Sequence, residues 1–78
     1  MSRYLIVIER GDRNYSAFVP DLPGCVATGK TRTEVLRQMQ RAIQMHLEGL
    51  REDGLEIPEP STDADWIDVD SDVKVVAG

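Results

Sequence analysis

The carboxylates are the first side chains to weigh as chemistry. Asp63, Asp65, Asp68, Asp70 and Asp72 fall within ten residues, and Asp68-x-Asp70-x-Asp72 has the spacing that opens a calcium-binding loop. The sixth position of such a loop needs glycine for its sharp turn. Here it is Val73, so no metal role is expected. Metal-dependent phosphodiester cleavage would need several carboxylates converging on one metal pair. Glu9 and Asp21, with Asp12 in a turn, are the acids near the first strand segments, and Glu34 is committed to capping a helix. Their convergence is not expected. His46 is the sole histidine, and no serine or cysteine stands at a spacing that would make it a catalytic base. Cys25, the lone cysteine, reads as a small hydrophobe. No catalytic residue, metal ligand or cofactor site is expected, which leaves recognition.

The elements that must position these groups follow from periodicity. Residues 3–10 are rich in β-branched and aromatic side chains, with Tyr4, Ile6 and Ile8 on one face and Leu5 and Val7 on the other. Apolar groups on both faces predict either a central strand or a second, partner-covered face. Gly11-Asp12 is a hairpin turn signal. Residues 14–19 then return, with Tyr15, Ala17 and Val19 alternating against Ser16 and Phe18, and Pro20 ends the strand because it cannot donate to a ladder. Residues 24–28 predict a short third strand closed by Gly29.

Thr31 and Glu34 form a capping-box pattern, and Leu36, Met39, Ile43, Leu47 and Leu50 recur at spacings of three and four. Val35, Ala42 and His46 widen that stripe. Gly54 supplies the left-handed stop, so a helix is predicted over 32–53. Met45 falls on its polar side and is a candidate contact point. Pro58 and Pro60 force an extended segment, after which Ile67 and Val69 alternate against Trp66 and aspartates, predicting a fourth strand over 65–69 that residues 73–76 could extend. The order β-β-β-α-β predicts an α+β fold, a mostly antiparallel sheet with one long helix on one face.

With 78 residues the chain is a single domain near the lower limit for a self-sufficient core, and no disulfide or metal staples it. Self-association, or a partner chain, is expected to supply the missing burial. Charge is uneven: residues 1–51 carry eight basic against five acidic side chains, and residues 52–78 carry nine acidic against Lys74. The first part stands at +3 and the second at −8. That acidic third disfavours nucleic acid and suits a basic protein, unless the aspartates are simply the wet face of an edge strand. No apolar run approaches the roughly 20 residues of a membrane helix, no signal peptide is evident at the start, and a single cysteine fits the cytoplasm.

The stretch Pro20-Asp21-Leu22-Pro23-Gly24-Cys25, with Gly29, Thr31 and Glu34 opening the helix and Gly54, Pro58, Pro60 and Ser61 closing it, resembles the HicB-like antitoxins over about residues 3–70. The resemblance implies a truncated ribonuclease-H-like fold and the antitoxin role of a two-gene module. It also implies a partner, the HicA-type toxin, a small basic RNA-cleaving protein. The family's C-terminal DNA-binding module has no counterpart in these residues, so direct DNA binding is not expected. Val35 stands where the family more often has alanine. The partner-binding residues expected on this reading are Asp21, Leu22 and Pro23 at the rigid corner, Met45 on the helix, and Trp66, Asp68 and Asp70 in the acidic segment. An orphan homo-oligomeric module of the same fold is the alternative, and a nucleic-acid binder a weaker one.

Overall fold

The computed structural model describes residues 2–72. Its elements are β1 (Val7–Arg10), β2 (Tyr15–Phe18), β3 (Val26–Gly29) and α1 (Arg32–Glu52). The strands form one antiparallel sheet in the order β1-β2-β3, and α1 packs across one face of it, mainly over β3 and β2. The α+β architecture expected from the periodicity is the one observed.

Register sorts the strand residues into rows. Ile8, Ala17 and Ala27 are aligned across the three strands, as are Val7, Phe18 and Val26. The first row faces α1: Ala17 is buried, while Ile8 and Ala27 pack against the core. The second row lies on the helix-free face, where Phe18 and Val26 are exposed. The core consists of Ala17, Val19, Leu22, Cys25, Val35 and Met39, flanked by partly buried neighbours including Tyr4, Ile6, Ile43 and Leu47.

Helix α1 begins as expected and is about 31 Å long at 1.5 Å per residue. Thr31 Oγ1 accepts from the Glu34 backbone N–H at 3.0 Å. The reciprocal half of the capping box, Glu34 to the Thr31 N–H, is not among the hydrogen bonds of the described residues. The C-terminus is a complete Schellman motif: Gly54 at φ +68° donates to Arg51 O, and Leu55 donates to Leu50 O. One detail departs from the expected stripe. Val35 and Met39 are buried, whereas Leu36 is exposed. The helix is rolled toward Val35 because its first turn sits against Gly29, where an added Cβ would lie 2.5 Å from Val35 N.

The fourth strand does not form. Residues 55–70 have no regular secondary structure, and Trp66, Ile67 and Val69 are 94%, 87% and 73% exposed. Alternation gives the segment strand preference, but a strand also needs ladder hydrogen bonds to a neighbour, and among the described residues the segment makes none. Its predicted extension over 73–76 lies outside the described residues. The radius of gyration, 15.7 Å, exceeds the roughly 11–12 Å of a compact domain of this length.

Candidate partner-binding surface

The corner between β2 and β3 is held by its own backbone. Val19 N–H donates to Cys25 O, Leu22 N–H to Val19 O and Cys25 N–H to Leu22 O, each at 3.1 Å. Pro20 and Pro23 restrict the chain between these bonds, and Gly24 takes φ +84°, a conformation that favours glycine. This geometry sends the corner's side chains in different directions. Leu22 is 0% exposed and sits at the centre of the core. Expected as a partner contact, its side chain is instead part of the core between sheet and helix. Pro23 is exposed.

Asp21 has a task that the sequence did not suggest. Its carboxylate accepts from the backbone N–H groups of Ser61 and Thr62 at 2.9 and 3.0 Å, and from their hydroxyls at 3.1 and 2.6 Å. Four donors on one carboxylate favour its charged form, and they hold the Asp21 pKa at about 2, with the Thr62 hydroxyl the largest contributor. Rather than presenting a free tip, Asp21 latches the segment that returns from α1. Tyr4 secures the same segment by donating its hydroxyl to Pro58 O. The Pro-x-Pro-Ser-Thr pattern, with an aspartate in a rigid corner, is the signal that could have revealed this pairing.

Beyond the latch the remaining expected residues are in solvent. Trp66, Asp68 and Asp70 are all exposed, and among the described residues Asp70 accepts from the Asp72 N–H close by. Met45 is 73% exposed and borders a groove of about 530 Å³ between the free edge of β3 and α1, whose walls include Val26, Gln38, Arg41 and Ala42. Met45 and the aspartates are therefore presented by different parts of the molecule. Cys25 is buried, and desolvation raises its thiol pKa. His46 is half-buried at the border of the apolar stripe. Among the described residues, no group of three or more His, Cys, Asp or Glu side chains is gathered to hold a metal ion.

A basic cleft at the other end of the sheet was not anticipated. Arg10 at the end of β1 and Arg13 from the turn after it meet Lys30 from the β3–α1 turn and Arg32 at the start of α1 around a volume of about 280 Å³, with Asp12 among them. The +3 balance of the first 51 residues was visible in the sequence. Its concentration at one end required the register that aligns Arg10, Tyr15 and Gly29.

Residues 4–74 match the family model described as "HicB_like antitoxin of bacterial toxin-antitoxin system". The chain belongs to the HicB-like antitoxin family. Two relatives place it further. It is 42% identical over 55 residues to the "Uncharacterized 14.9 kDa protein in rep-hol intergenic region" of Haemophilus phage HP1, covering 70% of this chain and 41% of the phage protein. It is 35% identical over 60 residues to Antitoxin HicB 2 of Photorhabdus laumondii, covering 77% of this chain and 43% of that antitoxin. The similarity thus spans less than half the length of either relative. A chain of the solved HicA3 and HicB3 toxin-antitoxin complex superposes with a TM-score of 0.66 at 28% identity, covering 77% of this HicB-like chain and 70% of that one. No helix among the described residues is long and apolar enough to cross a membrane.

Proposed function

We propose that this HicB-like chain neutralises a small basic RNA-cleaving toxin of the HicA type by binding it in the cytoplasm, without catalysis or cofactor of its own. The observation that carries the reading is the likeness, at TM-score 0.66, to a chain of a toxin–antitoxin complex. The charge distribution supports it. Asp63, Asp65, Asp68, Asp70 and Asp72 are all exposed, which concentrates negative potential on one segment and raises the encounter rate with a basic partner. The groove beside Met45, with an apolar wall and Arg41 at its rim, offers contact area away from the aspartates. Nucleic acid is a poor partner for the acidic segment, and no DNA binding is assigned.

The test is the association rate with the toxin encoded beside the gene, measured against ionic strength. Replacing Asp68 and Asp70 together by lysine should slow association by about tenfold at low salt and flatten its salt dependence. An unchanged rate and slope would refute electrostatic steering, and no detectable binding by the unmodified chain would refute the antitoxin reading itself.

A further inference from the structure

The end of the sheet opposite the Asp21 corner gathers like charges. Arg10 ends β1, Arg13 lies in the turn after it, Lys30 lies in the turn after β3, and Arg32 opens α1. All four border the cleft of about 280 Å³, and among the described residues around it the acid is Asp12 alone. In a chain of net charge −5 this is a local reversal of sign. Four cations around one cleft repel one another in the free protein, and a bound anion relieves that repulsion.

Both turns are held in place. Gly11 N–H donates to Asn14 O at 2.8 Å, and Thr31 Oγ1 accepts from Glu34 N–H at 3.0 Å. Gly29 lies against the Val35 backbone, so Lys30 and Arg32 leave from a fixed point. Groups on anchored turns lose less freedom on binding than groups on loose ones. Three of the four cations are arginines, whose planar fork matches phosphate oxygens two at a time. Tyr15, half-buried and aligned with Arg10 and Gly29, forms part of the same wall. An aromatic surface among arginines suits a planar base joined to that phosphate.

We propose that this cleft binds a small nucleotide, a nucleoside mono- or diphosphate, with its phosphate on the cations and its base against Tyr15. Charge argues against a long strand of nucleic acid. The acidic segment is rooted by Asp21 at the far end of the sheet, and a polyanion that runs beyond the cleft meets a chain of net charge −5. A compact ligand feels the local field, to which the positive end of α1 adds. The cleft shares no wall residue with the groove beside Met45, and the proposal does not depend on the antitoxin reading.

The test is a titration of the isotope-labelled full chain with AMP, followed by its amide resonances. AMP should saturate with a Kd below about 1 mM, and the shifted amides should cluster at residues 10–15 and 29–33. Adenosine, which lacks the phosphate, should bind about tenfold more weakly or worse, and ribose phosphate, which lacks the base, should also bind more weakly than AMP. Arg13→Gln combined with Lys30→Gln should raise the Kd by about tenfold or more. Both side chains are exposed, so the helical circular dichroism should be unchanged. Arg41→Gln, in the other groove, should leave the Kd as it is. No saturation by about 5 mM AMP would overturn the inference. So would equal affinity for AMP and either fragment, or shifts spread equally over Arg37, Arg41 and Arg51. Tighter binding of poly(A) than of AMP, per phosphate, would assign the surface to a nucleic-acid strand and overturn the nucleotide reading.

Discussion

Replacing Gly29 by alanine tests the closest approach in the molecule. The added Cβ would stand 2.5 Å from Val35 N, 2.9 Å from Val35 Cα and 3.0 Å from Glu34 C, all backbone atoms of the first helical turn. Ordinary contacts of this kind are nearer 3.5 Å, so α1 must lift off β3 by about 1 Å or the strand must bend. Forced overpacking of this sort costs about 1–3 kcal/mol. A domain of this size has about 4–12 kcal/mol in total, and each kcal/mol moves its melting temperature by about 4–8 °C. A fall of about 5–20 °C is therefore expected in a far-UV circular dichroism melt. Gly49→Ala is the matched control. Nothing lies within 4 Å of its added Cβ, and within a helix the exchange should stabilise by about 0.5–1 kcal/mol. The two variants should move the melt in opposite directions. A Gly29→Ala protein melting within about 1 °C of the parent, against the expected several degrees, would mean that helix and strand do not meet as described.

Leu22→Ala removes a side chain with no exposure and should cost about 2–5 kcal/mol in urea unfolding, whereas Pro23→Ala, on the exposed side of the same corner, should cost far less. Equal costs would show that the corner does not divide its residues between core and surface. The Asp21 latch should depend on acid. Its folded pKa of about 2 lies below the ordinary 3.8, so its contribution is fully present above about pH 4 and is lost as the pH falls through 2. Between pH 4 and 2 the parent should lose stability that an Asp21→Asn variant does not lose. Parallel pH profiles for the two proteins would refute the latch.

The parts of the fold legible in the sequence were those set by local rules. The helix limits came from Thr31 and Gly54, whose caps are both present, and the hairpin came from Gly11, which donates to Asn14 O at 2.8 Å. Alternation put Tyr4, Ile6 and Ile8 on one face, and in the structure these three pack against the core. Legibility stopped where two distant stretches had to meet. Residues 65–69 show strand periodicity, yet periodicity describes a face and cannot name the edge it pairs with. The same limit hid Asp21, a polar residue in a turn by sequence and a latch only once residues 61–62 arrive. Leu22 was expected as a contact residue of the rigid corner between two prolines, whereas the corner's three internal backbone bonds turn its side chain into the core.

The latch also sets an order of events. The hairpins and the helix caps join residues close in sequence, while Asp21 reaches 40 and 41 positions along the chain. Contacts between distant positions must first overcome the entropy of closing the loop between them, so they form late. Sheet and helix should therefore assemble before the returning segment is fastened, and the segment should come loose before they melt. In native-state hydrogen exchange the Ser61 and Thr62 amides, held by Asp21, should exchange faster than the amides of the sheet and of α1; equal protection would contradict this order.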